Sequence, residues 1–475
     1  MRRTLVVSII VLCVAGCMVG PDYKRPTIDT PQAFRYEPKD VAETANTEWW
    51  KQFNDPVLDS LIAEALANNK NVKIAAANVE AAAGFLMTTR SALFPQVGYN
   101  ATATRNRLSK NEAIRPPNDN PFNSHQVLAG ATWEIDLWGR IRRLSEAAQA
   151  NLLASDEARR GVILSLVSEV AASYMQLRAF DEQLAISKRT LKTYADSVTL
   201  FEKQHKYGQV SLMTVQQARS QYETAAAAIP QIEIQIVATE NALSILLGRN
   251  PGPIVRGKTL AELAMPSVPA GLPSQLLEQR PDIRQAEQNL IAANAQIGAA
   301  KALYYPTISL TGAYGKSSNE LEDLFHGPSN VWNYGGSIIG PIFTAGNIAG
   351  QVKQATAGQK AALSAYELAI QNAFADVENA LVSRDKLGEQ FTAEQKRVAA
   401  YKDYTRLAWL KYNGGYTSYL EVLYAETQLF PAELSATQTQ AAALISFVNL
   451  YKAIGGGWIT EADKMTGPPP VASNQ

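Results

Sequence analysis

The feature that most constrains this chain is a stretch from Arg140 to Tyr207 that contains no proline and only one glycine, Gly161. Leucine, alanine, valine, glutamate, glutamine and arginine dominate it, so nothing interrupts a helix. At about 1.5 Å per residue, a single helix of this length would be roughly 100 Å long. Because a helix buries apolar surface only against a partner beside it, the stretch predicts long helices packed side by side.

A second stretch of the same kind runs from Asn347 to Tyr412, again without proline. A shorter helix is expected on either side of each long one. The first begins at Asp55-Pro56, with the aspartate as N-cap and the proline at the first helical position, and is expected to continue unbroken to Pro95. Another is expected from Leu212 to Leu247, ending at Gly248.

The second half of the chain repeats the first. Phe94-Pro95 corresponds to Tyr305-Pro306. Three glycines of the first half each have a counterpart 207 residues later, for example 415 minus 208. These pairs are Gly139 with Gly346, Gly208 with Gly415 and Gly248 with Gly455. We therefore expect two repeats, 54–248 and 274–457, each with a helix, a β-hairpin, a long helix and a further helix. A proline-rich linker over 249–273 joins them.

Between the first helix and the long helix of each repeat, the apolar period changes from about 3.6 residues to two. The alternating positions of the four predicted strands are Val97, Tyr99, Ala101 and Ala103; Val127, Ala129, Ala131, Trp133 and Ile135; Ile308, Leu310, Gly312 and Tyr314; and Trp332, Tyr334, Gly336 and Ile338. Each strand is near the roughly 9 to 11 residues of a tilted membrane strand, and aromatic residues such as Tyr99 and Trp133 suit the two membrane interfaces. Strands of an ordinary β-sandwich are the alternative.

The number of strands in each chain determines the assembly. Four strands cannot close a barrel, and open sheet edges are not tolerated in lipid, so several chains must combine their strands. Two chains would give eight strands around a lumen filled by side chains, whereas three would give twelve and leave a channel. The predicted fold class is therefore an α+β membrane protein, in which a β-barrel shared by several chains, with four strands from each, continues into long helices.

The first residues, 1–16, are typical of a secretory signal peptide. Two arginines precede the apolar run Leu5–Val14, which is too short to span a bilayer as a helix. The sequence VAGC, ending at Cys17, resembles a bacterial lipobox, so Cys17 is predicted to carry lipid after cleavage. A buried or disulfide-bonded cysteine is the alternative. Since the only other cysteine, Cys13, leaves with the signal peptide, no disulfide within the chain is expected.

Two flanking segments complete the domain organisation. Residues 17–53 contain several prolines before the aromatic residues Trp49, Trp50 and Phe53, and they predict an extended arm. Residues 458–475 are expected to form a C-terminal tail.

Composition excludes several classes of function. After the signal peptide, no apolar run reaches the roughly 18 residues that a membrane helix needs, so a membrane span must consist of strands. The net charge is zero and the pI is about 6.9, which gives no electrostatic basis for binding nucleic acid. The histidines His125, His205 and His326 are far apart, and no phosphate loop or nucleophile motif is present. We expect no enzyme activity, no cofactor and no metal site.

Several motifs follow one another along the chain. They are GPDYKRP at Gly20–Pro26, the pair Trp49-Trp50 before FNDP at 53–56, WEIDLWGR at Trp133–Arg140 and QRPDI at Gln279–Ile283. Together they resemble the TolC/OprM family, the outer-membrane lipoprotein channels of tripartite efflux systems, over nearly the whole chain after the signal peptide. The resemblance implies a homotrimer with a twelve-stranded barrel in the bacterial outer membrane, anchored in its lipid through Cys17, and a helical coiled-coil tunnel in the periplasm. It also implies an equatorial belt of terminal segments and linkers, a periplasmic membrane-fusion adaptor and an inner-membrane pump of the RND type.

The resemblance assigns a role to two turns. Gly208 with Ser211, and Gly415 with Ser418, hold the positions of the family's Gly-x-x-Ser/Thr signature at the periplasmic tip. Glycine permits the turn and serine can cap the next helix, whose first residues are Leu212, Val215 and Ala218 in one repeat and Leu420, Val422 and Ala425 in the other. The resemblance implies that adaptor hairpins dock on these tips. The alternative is that the four residues only shape the turns.

The same resemblance implies a ring of carboxylates just inside the tip. Where the family has two acidic positions, this chain has Glu421 and Tyr424, so a single acidic ring is expected to line the pore. For Glu421, a solvated helix face is the alternative.

The closing contacts of the tip are expected to differ from those of the family. Tyr412 aligns with a tyrosine of the family's closed state, whereas Thr417 replaces its arginine and Thr214 replaces the partnering aspartate. Asp403 or Arg406, one or two helical turns away, is the candidate substitute.

The resulting hypothesis is a passive exit duct for drugs or other small molecules. A surface barrel with a structural or adhesive role and a duct for type I protein secretion are the alternatives. An amino-terminal lipid would tether the arm on the periplasmic side of the membrane, which favours a duct. The sequence does not name the cargo, because the pump selects it.

Overall fold

The structure is a computed structural model that describes residues 18–28, 34, 48–109, 111, 120–266 and 280–456. The predicted lipidation site Cys17, most of the arm, part of the linker and the tail over 458–475 lie outside these residues. The chain divides into two compact units. The first draws on Met1–Thr27, Val79–Ser155 and Gln285–Tyr366, and the second on Ile28–Asn78, Asp156–Arg284 and Glu367–Gln475.

Helices make up most of the described chain. They are α1 (Pro56–Asn68), α2 (Lys70–Ser91), α3 (Arg140–Lys206), α4 (Leu212–Leu246), α5 (Pro281–Ala302), α6 (Asn347–Asn413) and α7 (Tyr419–Ala453). Both long helices predicted from the sequence are confirmed. Each has 67 residues and is followed by a helix of 35 residues, so the two halves match in length as a duplication requires. No helix in the described part of the chain is both long enough and apolar enough to cross a membrane.

The first unit contains one antiparallel sheet with the strand order β1-β2-β3-β4. Its strands are β1 (Gln96–Asn106), β2 (Phe122–Ile135), β3 (Thr307–Ser318) and β4 (Asn330–Ile339). In the register, Ala129 lies opposite both Tyr99 and Tyr314, and Tyr314 lies opposite Trp332. The four predicted strands are confirmed. Within the described chain β1 and β4 are edge strands, and β1 is exposed along its whole length, so both edges are available for further pairing.

A buried arginine of the first unit fixes the segment that follows the predicted lipidation site. Arg143, in the first turn of α3, has 2% of its side chain exposed and donates a hydrogen bond to Asp22 at 2.7 Å. The backbone N–H of Val19 donates to the carbonyl of Trp138 at 3.1 Å. This segment is therefore bonded to the junction between β2 and α3.

The helix predicted after Asp55 is wrong in one respect, because it is broken at Asn69 into α1 and α2. The side-chain oxygen of Asn69 accepts hydrogen bonds from the N–H groups of Asn71 at 2.8 Å and Val72 at 3.1 Å, and so caps α2. Its amide donates to the carbonyl of Leu246 at 2.8 Å, at the end of α4. An asparagine that satisfies free helix-end groups in this way competes with a continuous helix.

The core of the second unit surrounds the aromatic residues at the end of the arm. Trp49 is fully buried and stacks on Tyr451 of α7, with ring centroids 5.2 Å apart. Asp55 caps α1 as predicted, accepting the N–H of Val57 at 2.9 Å, and it also accepts the hydroxyl of Tyr174 of α3 at 2.8 Å. The end of the arm therefore packs against α7 of the second repeat, and the start of the first repeat is bonded to its own long helix.

Candidate functional site

Two turns join the long helices to the helices that follow them, at the positions predicted for the docking tip. Gly208 after α3 has a φ of 75°, and Gly415 after α6 has a φ of 76°. In both turns the next residue donates its N–H to the carbonyl five residues earlier, at 2.8 Å for Gln209 and 2.9 Å for Tyr416. Because a positive φ strains any residue with a Cβ, glycine suits this type of helix end.

The serines that follow the two glycines differ in their bonding. Ser211 is the N-cap of α4, and its hydroxyl accepts the N–H of Thr214 at 3.3 Å. Ser418 holds the same position before α7, but among the described residues its hydroxyl accepts no capping bond. The N–H of Glu421 bonds instead to the backbone carbonyl of Ser418 at 3.3 Å. The expectation of a serine cap is therefore confirmed for Ser211 and wrong for Ser418.

An apolar cluster lies directly behind both turns and joins the two hairpins. Phe201 of α3 is fully buried, and its ring centroid is 4.3 Å from that of Tyr419 of α7. Of the six residues predicted to begin the descending helices, Leu212 and Leu420 are exposed and the other four belong to the cluster. Its buried members are Phe201, Val215, Ala218, Ala408, Tyr419, Val422 and Ala425.

Tyr412, a predicted gate residue, bonds the two long helices to each other. Its hydroxyl donates to the side-chain oxygen of Gln204 at 3.2 Å. Burial raises the pKa of Tyr412, so the hydroxyl stays protonated and able to donate. Of the two threonines predicted to replace the family's ion pair, Thr417 is half-buried, and the hydroxyl oxygen of Thr214 lies 3.3 Å from that of Ser211. The structure brings these residues to one end of the second unit and gives Tyr412 the partner Gln204.

The charged gate candidates lie on the exposed side of the second hairpin. Arg406 and Asp403 pair with each other at 3.4 Å along α6. Glu421 is exposed and accepts the hydroxyl of Tyr404 at 3.2 Å, which is a bond between α6 and α7. Desolvation, followed by the bond to Glu421, raises the pKa of Tyr404, so this hydroxyl also remains a donor.

Sequence reasoning missed the buried polar contact of this region. Glu426 of α7 is 3% exposed and accepts the indole N–H of Trp409 of α6 at 2.9 Å. Its second carboxylate oxygen is buried without a hydrogen-bond partner among the described residues. Burial raises the pKa of Glu426 to about 7. The sequence does carry a signal, because Glu426 lies four residues after Val422 on the apolar face of α7, where an acid is unusual.

The strands and the turns together define a class of protein. A sheet of four membrane-length strands and two hairpins of long helices are the elements of an outer-membrane channel protein. The chain belongs to the outer membrane efflux protein family, whose model matches residues 61–249 and 272–456.

Individual members of the family resemble the chain over nearly its full length. It is 37% identical over 457 residues to the toluene efflux pump outer membrane protein TtgI of Pseudomonas putida, a match that covers 94% of this chain and 97% of the relative. It is 36% identical over 456 residues to the cation efflux system protein CusC of Escherichia coli, with the same two coverages of 94% and 97%. The open-state crystal structure of the Neisseria gonorrhoeae MtrE outer membrane channel matches with a TM-score of 0.84 at 34% identity, over 93% of this chain and 99% of that one. The protein is an outer-membrane efflux channel.

Proposed function

We propose that this protein is the exit duct of a tripartite efflux pump, conducting small molecules passively from an inner-membrane pump and a periplasmic adaptor to the exterior. The observation that carries the proposal is the sheet with open edges at β1 and β4, joined to two hairpins of long helices. Such a sheet closes only with strands from further chains, and a closed ring of sufficient size encloses a passage. The protein then acts as a conduit and catalyses no reaction.

Three copies account best for the strands. The strands have 11, 14, 12 and 10 residues, close to or above the length needed to cross a bilayer at a tilt. Three chains supply twelve strands, enough for an open lumen, whereas the eight strands of two chains surround a filled one. The mass of the purified protein in detergent should therefore correspond to three chains. A well-folded monomer would contradict the shared barrel.

The glycine turns are the proposed docking site for the adaptor, which links the channel to an RND-type pump. Large apolar side chains are exposed around both turns: Tyr207 (76%), Met213 (67%), Tyr416 (86%) and Leu420 (63%). Clustered exposed apolar residues of this kind mark an interaction surface. A photoreactive residue in place of Tyr416 should crosslink to the adaptor in cells, whereas one in place of the exposed Lys353, at the other end of α6, should not.

We also propose that Cys17 is lipidated and anchors the protein in the outer membrane, with the helices in the periplasm. The bonds from Val19 to Trp138 and from Arg143 to Asp22 support this, because they hold the following segment next to the strands. Cys17→Ser should abolish the incorporation of labelled palmitate and weaken localisation or assembly. Equal labelling of the serine variant would rule out Cys17 as the anchor.

The proposed function is tested by deletion and rescue. TtgI is named for toluene and CusC for cations, so relatives serve different cargoes. Since a passive duct adds little selectivity, the cargo here should follow the pump that copurifies with it. Deleting the channel should sensitise cells to that pump's substrates, and the intact gene should restore resistance. Unchanged resistance with loss of a secreted protein would favour the type I secretion alternative instead.

A further inference from the structure

A small cavity lies between α3, α6 and α7 in the second unit. Its volume is about 210 Å³, and its wall includes Tyr194, Thr405, Glu426 and Glu433. Oε2 of Glu426 and Oγ1 of Thr405 are both buried, and neither has a hydrogen-bond partner in the described part of the chain. Buried polar atoms are nearly always bonded, so two unpartnered oxygens beside one cavity indicate a polar site.

The cations nearest the cavity are already paired with another acid. Glu433 accepts Arg189 at 3.2 Å and Lys402 at 3.0 Å, and both basic side chains are 58% exposed. Among the described residues, the remaining cavity wall brings no further basic side chain, and α4 contributes no residue to it. Within this part of the chain, Glu426 is therefore a buried acid without a cation of its own.

The other titratable groups facing Glu426 are phenols. Burial, together with the charge of Glu426, raises the pKa values of Tyr194 from α3 and Tyr419 from α7, so both are neutral at physiological pH. The polar group that bonds to the carboxylate is the indole of Trp409, whose N–H lowers the pKa of Glu426 by less than burial raises it. An uncompensated buried carboxylate favours its neutral form.

We propose that this cavity is a proton-binding site centred on Glu426, and that the charge of Glu426 determines how firmly α3, α6 and α7 pack beneath the tip. The proposal rests on the proposed function, in which the tip must open and close. A protonated Glu426 is uncharged, so it can remain buried while the three helices stay packed. An ionised Glu426 is a buried charge without a paired cation in the described part of the chain, and the cost of burying it is relieved when the helices separate and water enters.

The direction of the pH effect follows from proton linkage. The pKa of Glu426 rises from 4.5 to about 7 in the packed tip, so the packed tip binds more protons than a hydrated one. Packing is therefore favoured at low pH and is progressively lost as the pH rises through this range, with the loss complete above about 7. For one group in each chain, the ratio of packed to loosened helices changes by at most about tenfold per pH unit.

Pro431, inside α7, removes one helical N–H and provides a point where the helix can bend.

The test is the conductance of purified trimers in planar bilayers between about pH 4 and about pH 8.5, a range that brackets the titration. The open probability of the wild type should rise as the pH increases from about 4.5 to about 7 and then level off, so that its midpoint lies below 7. Glu426→Gln is uncharged at every pH and should stay closed throughout. The matched control Glu389→Gln changes an exposed acid of α6 that does not border the cavity, and it should keep the wild-type pH response.

A second variant separates proton binding from simple packing. Trp409→Phe keeps the aromatic ring but removes the N–H that stabilises the ionised carboxylate, so it should move the midpoint to higher pH. A purely structural role of the pair would alter the open probability without moving the midpoint in this direction.

A measurement on the wild type keeps the proposal testable if the variants assemble poorly. In protein with isotope-labelled glutamate, infrared spectra should show a buried protonated carboxyl band that disappears as the pH passes neutrality. The absence of this band, or a pH response retained by Glu426→Gln, would overturn the proton site. A wild-type conductance that is constant with pH would overturn the inference and leave the duct intact, whereas no conductance at any pH would count against the duct itself.

Discussion

The two hairpins have helices of equal length and glycine turns of nearly equal φ, yet different interactions hold their tips. In the α3–α4 hairpin, Ser211 caps the descending helix through its side chain. In the described α6–α7 hairpin this cap is missing, and two aromatic side chains of α6 donate to acids of α7: Tyr404 to Glu421 and Trp409 to Glu426. The first tip therefore combines a local cap with the exposed ion pair of Glu202 and Arg219 between its helices, whereas the second has no side-chain cap and buries one of the acids that bond its helices.

This difference indicates which hairpin is suited to move. A cap is part of the helix end, so breaking it unravels the first turn of the helix. Bonds between side chains of neighbouring helices can break while both helices stay intact. The α6–α7 hairpin also buries an acid at the helix interface, where small changes in hydration have large electrostatic consequences. We therefore expect gating changes to concentrate in the second repeat.

The largest expected effect comes from Gly415→Val compared with Gly208→Val. A Cβ at either position would have no atom within 4 Å, so the cost is backbone strain rather than a clash. A residue with a side chain at positive φ is strained by roughly 1 to 2 kcal/mol. The strain is equal at both turns, so a difference between the variants reports on the role of each hairpin. Gly415→Val should lower resistance nearly to that of the deletion strain, and Gly208→Val should lower it by less. Trimer abundance should stay normal in both variants. Susceptibility assays with immunoblots provide the measurement.

Gly388→Ala serves as the control for the two valine variants. It lies within α6, has an ordinary helical φ and has space for a Cβ, so it should leave resistance unchanged. Equal losses from both valine variants would remove the distinction between the hairpins. Full resistance with Gly415→Val would remove the tip assignment altogether.

Much of the fold could be predicted from the sequence because its determinants are local. The boundaries of α3 and α6 follow from long stretches without proline, and the glycines at their ends mark residues of positive φ. The break at Asn69 could not be predicted in this way, because the bond from its side chain to Leu246 joins positions far apart in the sequence. The contact between Trp409 and Glu426 likewise depends on the register of two packed helices. The contacts of the proposed gate are therefore the part that required the structure.

A smaller effect is expected when the two N-cap serines are compared. Ser211→Ala removes the side-chain bond to Thr214 and should destabilise the first turn of α4 by about 1 kcal/mol. Ser418→Ala removes no capping bond seen among the described residues and should be nearly neutral. Hydrogen exchange measured by mass spectrometry should show faster exchange at the start of α4 for Ser211→Ala, with no corresponding change at the start of α7 for Ser418→Ala. Equal acceleration at both sites would mean that Ser418 also caps its helix in the assembled channel.

The smallest effect, and the one that best locates the pore, concerns the exposed acid of the second hairpin. If Glu421 lines the closed tip, three copies in a trimer attract multivalent cations through their summed charge, which a neutral amide cannot provide. Glu421→Gln should therefore weaken cation block several-fold in single-channel recordings, and the weakening should shrink at high salt. Tyr404→Phe removes the hydroxyl that bonds Glu421 but keeps the charge, so block should persist. Unaltered block in the Glu421 variant would place this carboxylate on the outer, solvated face of α7.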